Sequence, residues 1–166
     1  MSVVKRLMET NFFGYVSMTK CALDSLRKSK GQIIVINSMS GLIGLPFRTA
    51  YCASKYACRG FFEALTVEEP DINILNVYPQ SMSGTTMREK HITGAQEFEK
   101  PDWKFISVED VVKMVVTAAD RRRPEVKAFL VWLGIGSYKV VPFIWRRSMN
   151  NEIIKRNARK LPISKL

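Results

Sequence analysis

The sequence predicts an α/β fold in which helices cover a parallel β-sheet. Two short runs have the composition of buried strands, residues 32–37 (QIIVIN) and 71–77 (DINILNV). Each run follows a segment whose apolar residues recur at helical spacing, residues 2–27 and 49–67. Because strands that alternate with helices pair in parallel through right-handed crossovers, this order predicts helices layered on a parallel sheet.

The first half of the chain has the clearer boundaries. An unbroken helix is expected from Ser2 to Arg27, because no proline interrupts the apolar spacing, and residues 29–31 (SKG) should end it. The run at 32–37 is so uniformly apolar that we expect a strand buried on both faces of the sheet. A glycine-bearing loop, residues 38–46, leads into the second helix.

The second half begins with an irregular stretch, residues 78–106, that contains prolines, glycines and serines. It predicts a long loop with a short helix near residues 86–91, and loops of this length in compact domains often serve as substrate lids. The one histidine of the chain, His91, falls in this loop and is expected to be a surface residue.

A third helix and a third strand should follow the loop. Ser107 and Asp110 have the spacing of a helix N-terminal cap, which predicts a helix that continues to Asp120. Residues 127–132 are expected to form a strand. We therefore predict a catalytic part of the domain, residues 1–132, followed by an apolar and then basic helical tail, residues 133–166.

The positive charge of the chain is concentrated at its end. Residues 121–166 carry twelve Lys/Arg and two acidic residues, so +10 of the net charge of +11 lies there. A basic segment of this kind suits an anionic membrane surface, a nucleic acid, or a solvated tail with no partner. No nucleic acid is expected as a partner, because the tail has no known recognition module.

Other features exclude several classes of protein. Cys21, Cys52 and Cys58 lack metal-ligand spacing and are odd in number, so they predict reduced thiols, with neither a disulfide framework nor a metal site. The N-terminus lacks the apolar core of a signal peptide, and no stretch reaches the roughly 20 apolar residues of a membrane-spanning helix.

The sharpest local motif is Tyr51-Cys-Ala-Ser-Lys55 in the second helix. Residues four apart on a helix share a face, so the phenol and the ammonium should project together. Free tyrosine has a pKa of about 10, and a nearby cation would lower it by roughly 1–3 units. Tyr51 is therefore a candidate general acid or base for interconverting an alcohol and a carbonyl.

Ser38 adds a second group to this candidate site. It lies thirteen residues before Tyr51, at the carboxyl end of the first predicted strand, where open α/β sheets bind their ligands. A hydroxyl at that point can donate a hydrogen bond to a substrate oxygen on which negative charge develops.

With these residues in place, the run from Ile33 to Lys55 resembles the catalytic core of short-chain dehydrogenase/reductases, in particular the membrane-associated branch of hydroxysteroid and retinol dehydrogenases. The resemblance covers roughly residues 4–123. It implies the C-terminal part of a Rossmann-type doubly wound parallel sheet that lacks the N-terminal cofactor-binding strands. It also implies hydride transfer between NAD(P) and a lipophilic alcohol or ketone, such as a steroid or retinoid.

The same resemblance implies roles for individual residues. Ser38, Tyr51 and Lys55 match the catalytic triad of the family, and Asn11, in Asn11-Phe-Phe-Gly14, matches its fourth member, which orders a proton-relaying water. Lys55 and Tyr51 would also bind the nicotinamide ribose. Pro79 matches the cofactor-binding segment, and Thr85 or Thr86 matches its nicotinamide-contacting threonine only approximately, because Gln80 stands where the family has glycine.

The glycine-rich turn with which the family receives the pyrophosphate is absent from this sequence, so we expect an N-terminally truncated member. An alternative follows: a catalytically impaired fragment that acts as a binding or dimerisation module. The residues that distinguish NAD from NADP belong to the absent segment; NADP is slightly favoured.

The expected partners are a small lipophilic substrate and a membrane surface that contacts the tail. A Trp-containing apolar stretch between basic flanks, residues 129–147, can lie in a membrane interface without spanning it. Packing in a homodimer or in the domain core is the alternative use of the tail. The resemblance implies lipid metabolism at the endoplasmic reticulum membrane, with the cytoplasm as the alternative location.

Overall fold

A computed structural model describes residues 1–45, 48–83 and 106–127 of the chain. Three strands form one parallel sheet in the order β1-β2-β3, with β1 at Gln32–Ile36, β2 at Asn73–Tyr78 and β3 at Glu125–Lys127. The predicted parallel pairing is confirmed. β2 and β3 each begin two residues away from the predicted start, β2 later and β3 earlier, and residues 128–132 of the predicted third strand lie outside the described ranges.

Helices precede and connect the strands. They are α1 (Ser2–Met8), a π-helical segment (Glu9–Phe13), α2 (Gly14–Ser29), a 3₁₀ turn (Met39–Gly41), α3 (Thr49–Glu68) and α4 (Val108–Asp120). The prediction of one unbroken α-helix from Ser2 to Arg27 is wrong at the π-helical segment. A single widened turn shifts the apolar spacing too little for the sequence pattern to reveal it.

Local contacts explain where two of the helices begin and end. After α2, Lys30 takes the left-handed conformation with φ 48°, and Gly31 then lies so close to the helix that a Cβ would be 2.7 Å from Leu26 Cδ2. At the start of α4, Ser107 Oγ accepts a hydrogen bond of 3.0 Å from the backbone N–H of Asp110. The predicted cap is confirmed, and it satisfies one of the free N–H groups of the first turn.

The core lies on both faces of the sheet. On one face, Val35 of β1 and Ile74 of β2 pack with Ile72 against Cys58, Phe62 and Leu65 of α3. Tyr15, Leu23 and Leu26 of α2 pack against this cluster. On the other face, Leu75 and Val77 of β2 pack against Ala118 of α4. Helices therefore cover both faces of β2, which is the layering of a doubly wound sheet.

β1 differs from the prediction that it would be buried on both faces. It lies at one edge of the described three-stranded sheet, and Ile34 and Ile36 are 43% and 44% exposed on the face opposite Val35. The reason is that α4 lies over β2 and β3, so the described helices cover only one face of β1.

The remaining structural expectations are met in part. All three cysteines are free thiols; Cys52 and Cys58 are buried and Cys21 is exposed. Among the described helices, none is both long and apolar enough to cross a membrane. The lid helix at 86–91, His91 and the tail at 133–166 lie outside the described residues, so those expectations stay predictions.

Candidate active site

The carboxyl end of β1 places Ser38 beside the end of β2. The backbone N–H of Asn37 donates to Val77 O at 2.9 Å, so pairing with β2 continues one residue past β1, and Met39 N donates to Pro79 O at 3.1 Å. Ser38 is extended (φ −163°, ψ 157°) and begins the 3₁₀ turn. Its Oγ accepts a hydrogen bond of 3.2 Å from Ser40 N. The hydroxyl is thus held at the carboxyl ends of the strands, where ligands of such folds bind.

Helix α3 carries the phenol and the ammonium in its first two turns. Lys55 is 5% exposed, and its Nζ donates to Ile36 O at 3.3 Å. The same Nζ lies 5.2 Å from the centroid of the Tyr15 ring and 5.9 Å from that of Tyr51. The ammonium is therefore enclosed by two aromatic rings and a backbone carbonyl.

Asn11 approaches the same helix from the π-helical segment. Its Nδ2 donates to Ser54 Oγ at 3.1 Å, and Ser54 Oγ donates to Tyr51 O at 2.8 Å. Single-turn π-bulges inside α-helices are frequent at functional sites. The widened turn and this two-bond chain connect Asn11 to the backbone of the residue that bears the phenol.

One open cleft, with a volume of about 250 Å³, brings four of the predicted residues together. Asn11, Ser38, Tyr51 and Lys55 all line it, and so does Pro79. Thr85 lies outside the described residues. The four side chains from two helices and one strand end therefore share a single cavity, although their catalytic roles remain proposals.

The electrostatics of Tyr51 differ from the prediction. Burial raises the pKa of the phenol above its ordinary value of 10.0, while the Ser38 side-chain hydrogen bond and the charge of Arg48 act in the opposite direction. The predicted lowering of this pKa by Lys55 is wrong. The pKa of Lys55 is itself lowered by burial, and its ammonium is directed at Ile36 O.

The lining residues that sequence reasoning missed include Tyr15, Asn37 and Arg48. Tyr15 Oη donates to Ile36 O at 3.0 Å, and its spacing of four from Asn11 on one helix could have indicated a shared face. Arg48 precedes Tyr51 by three residues, a spacing that also places side chains near each other on a helix. For Asn37, only its position at the end of the predicted strand could have indicated that it lines the cleft.

Known proteins resemble this chain over most of its length. A family model described as short chain dehydrogenase matches residues 1–96. "Dehydrogenase/reductase SDR family member 7C" of Bos taurus is 37% identical over 134 residues, which is 74% of this chain and 42% of that protein. "Hydroxysteroid 11-beta-dehydrogenase 1-like protein B" of Xenopus laevis is 39% identical over 120 residues, 70% of this chain and 39% of that protein.

A further relative, "Dehydrogenase/reductase SDR family member 7B" of Xenopus laevis, is 32% identical and covers 96% of this chain. The match takes in 52% of that relative, so the chain spans about half the length, or less, of these curated proteins. The predicted resemblance to the hydroxysteroid and retinol dehydrogenase-like branch is confirmed.

Two solved structures share the fold. A short chain dehydrogenase from Burkholderia cenocepacia in complex with NADP has a TM-score of 0.70 at 21% identity, covering 90% of this chain and 58% of that one. An alcohol dehydrogenase from Thermococcus sibiricus complexed with 5-hydroxy-NADP has a TM-score of 0.61 at 23% identity, covering 74% and 52%. The predicted fold class, part of a Rossmann-type parallel sheet, is confirmed.

Proposed function

This chain belongs to the short-chain dehydrogenase/reductase family, a family of NAD(P)-dependent oxidoreductases, and we propose that it transfers hydride between NAD(P) and a lipophilic alcohol or ketone. The observation that carries the proposal is the convergence of Asn11, Ser38, Tyr51 and Lys55 on one cleft. The names of the hydroxysteroid dehydrogenase-like relatives favour a steroid-like substrate. The NADP and NADPH named in the structural neighbours favour NADP.

Tyr51 is the proposed acid/base. Because burial raises the pKa of its phenol, Tyr51 keeps its proton at neutral pH and can donate it to the oxygen of a ketone as that ketone is reduced. Ser38 contributes a hydroxyl within reach of the same substrate oxygen, where a donated hydrogen bond stabilises developing negative charge. Tyr51 would act as a base in alcohol oxidation only when its pKa falls.

The residues present fit one half of the cofactor. The buried ammonium of Lys55 and the phenol of Tyr51 border one open cleft, where both can donate hydrogen bonds to ribose hydroxyls. Lys55 and Tyr51 would hold the ribose hydroxyls, with Pro79 near the nicotinamide; Thr85, which the resemblance assigns to the same segment, lies outside the described residues. The bound cofactor supplies or accepts the hydride.

Asn11 is the proposed support of the proton path. Its amide holds Ser54, which in turn holds the backbone of Tyr51. These bonds fix the first turn of α3 against the π-helical segment. A shift of about 1 Å in such a group can reduce the rate of an enzyme about a hundredfold, so a fixed position matters for turnover.

A pair of tyrosine substitutions on α3 tests the proposal. The purified chain is assayed for oxidation of NADPH and NADH with a steroid ketone, retinal and a small aliphatic ketone. Tyr51→Phe should lower kcat by roughly 10²–10⁴-fold, the usual contribution of a positioned acid or base. Tyr56→Phe is the matched control, because Tyr56 is 39% exposed on the same helix and outside the cleft.

The outcomes separate the alternatives. Turnover that survives Tyr51→Phe contradicts the proposed acid/base. A wild-type chain that folds but neither binds NAD(P)H nor turns over supports the alternative of a catalytically impaired binding or dimerisation module.

A further inference from the structure

Two consecutive residues at the end of β1 hold Lys55 at both of its ends. Ile36 O accepts the hydrogen bond from Lys55 Nζ at 3.3 Å, and Asn37 Nδ2 donates to the backbone carbonyl of Lys55, also at 3.3 Å. The side chain and the main chain of one residue are thus fixed to the same strand end. A carbonyl in the interior of a helix usually accepts only its bond within the helix, so the second donor is a specific contact.

Gly41 completes this contact. A Cβ at Gly41 would lie 2.9 Å from Lys55 O, 3.0 Å from Asn37 Oδ1 and 3.2 Å from Asn37 Nδ2. The space that a side chain would fill is therefore already occupied by the Asn37 amide and the Lys55 carbonyl. Any larger residue at position 41 must push the 3₁₀ turn away from α3 or displace the amide.

We propose that Asn37 and Gly41 are positioning residues for the dehydrogenase site: the amide of Asn37, packed against the bare backbone of Gly41, sets the spacing between the turn that bears Ser38 and the helix that bears Tyr51 and Lys55. The catalytic role of this positioning rests on the proposed function. The positioning of Lys55 itself can be tested without turnover.

The burial of Asn37 supports a positioning role over a purely stabilising one. Its side chain is 3% exposed, and among the described residues Oδ1 has no hydrogen-bond partner. An unpaired buried oxygen costs free energy that an apolar residue of the same size would not. What asparagine supplies at this position is the donated bond to Lys55.

Asn76 offers a matched control. It is also a buried asparagine, 5% exposed with an unpartnered Oδ1, and it lies on the neighbouring strand β2 outside the cleft. Replacing Asn76 by alanine removes a similar buried amide without touching Lys55. If Asn37→Ala changes Lys55 and Asn76→Ala does not, the effect comes from the contact between Asn37 and Lys55. It does not come from the loss of a buried polar group in general.

The test measures the titration of the Lys55 amine by NMR. The full chain is labelled with ε-¹³C-lysine, and the Lys55 resonance is assigned by its loss in Lys55→Arg. The groups around this amine are the rings of Tyr15 and Tyr51 and the thiol of Cys58. In the wild type, Lys55 should titrate below the ordinary lysine pKa of 10.5, since burial lowers its pKa.

In Asn37→Ala and in Gly41→Ala, the titration midpoint of Lys55 should rise toward the ordinary lysine value of 10.5 as the residue loses its fixed place, whereas Asn76→Ala should retain the wild-type midpoint. An unchanged midpoint in Asn37→Ala, or equal changes in Asn37→Ala and Asn76→Ala, overturns the inference. If Asn37→Ala does not fold, Gly41→Ala gives the same reading.

The oxidoreductase assay adds a second readout. Because Lys55 is proposed to hold the cofactor ribose, Asn37→Ala should raise the KM for NADPH by about tenfold or more and lower kcat less. Equal KM values in Asn37→Ala and wild type would overturn the link to the cofactor. Since the NMR titration needs no turnover, a failure of the dehydrogenase proposal itself is recognised separately, by the Tyr51→Phe result.

Discussion

Ser54 connects the π-helical segment to α3, and its removal should have a measurable cost. Its side chain is fully buried and sits between Asn11 Nδ2, at 3.1 Å, and Tyr51 O, at 2.8 Å. Ser54→Ala removes both bonds and leaves the Asn11 amide without its acceptor. Each of the two lost hydrogen bonds contributes about 0.5–1.5 kcal/mol net, so their combined loss costs about 1–3 kcal/mol. Because alanine has a better helix propensity than serine, the substitution also stabilises α3 by about 0.5 kcal/mol.

We therefore expect Ser54→Ala to lower the free energy of unfolding by about 1–2 kcal/mol. The measurement is urea denaturation followed by far-UV circular dichroism, with Ser29→Ala as the control. Ser29 is exposed and bonds only to the carbonyls of Ser25 and Leu26 within its own helix. Its replacement should change stability by no more than about 0.5 kcal/mol.

A double-mutant cycle with Asn11→Ala decides whether the assigned contact is responsible. Because the two residues share one hydrogen bond, the double variant should cost less than the sum of the single variants. If Ser54→Ala costs as little as Ser29→Ala, or if the two single costs simply add, the Asn11–Ser54 bond does not hold these elements together and the reasoning is refuted.

Three further predictions concern charge. Arg48→Met should raise the pKa of Tyr51 further, since it removes a cation that lowers it; a tyrosinate absorbance titration checks this, with Tyr51→Phe identifying the signal, and an unchanged midpoint excludes Arg48. The folded-state pKa of Tyr51 lies above its unfolded value of 10.0, so its contribution to stability is present below pH 10.0 and is lost as the pH rises toward the folded value. Wild type should thus lose stability in alkali more steeply than Tyr51→Phe in urea titrations, and parallel curves would contradict the raised pKa. The basic tail, residues 133–166, should carry the chain into the pellet with anionic liposomes at low salt and less so at high salt; absence from the pellet in both conditions rules out the membrane contact.

The regular elements of the fold could be predicted because their signals are local. The apolar spacing around Cys58 and Phe62 defines α3, and the β-branched run ending at Ile36 defines β1. The Ser107 cap could be read from two residues three apart. Each of these features depends on neighbours in the sequence, so no knowledge of tertiary contacts was needed.

Features that depend on contacts between distant segments could not be predicted. Whether Ile34 is covered depends on where α4 lies, and that is set by packing against β2 and β3. The pKa of Tyr51 depends on its burial, which the sequence pattern does not reveal, and burial raises this pKa more than the nearby charge of Arg48 lowers it. The widened turn at Asn11 changes the helix by one hydrogen-bond register and leaves the apolar periodicity almost intact.

The motif spacing located the cleft, and the chain of contacts around it had to be read from the structure. Asn11, Ser38, Tyr51 and Lys55 were named from the sequence, and all four line one cavity. The partner of the Lys55 ammonium could not be anticipated, because it is a backbone carbonyl, Ile36 O. Any sequence has such carbonyls at every position, so residue types carry no information about them.

The position of β1 at the border of the sheet has a consequence for amide hydrogen exchange. Its inward-facing N–H groups bond to β2, while no described strand accepts from those that point the other way. Protection along β1 should therefore alternate from one residue to the next, whereas β2, flanked by β1 and β3, should be protected where both neighbours pair with it. We therefore expect deuterium to enter β1 at alternate residues up to Ile36, two residues before Ser38, the proposed hydroxyl donor of the site.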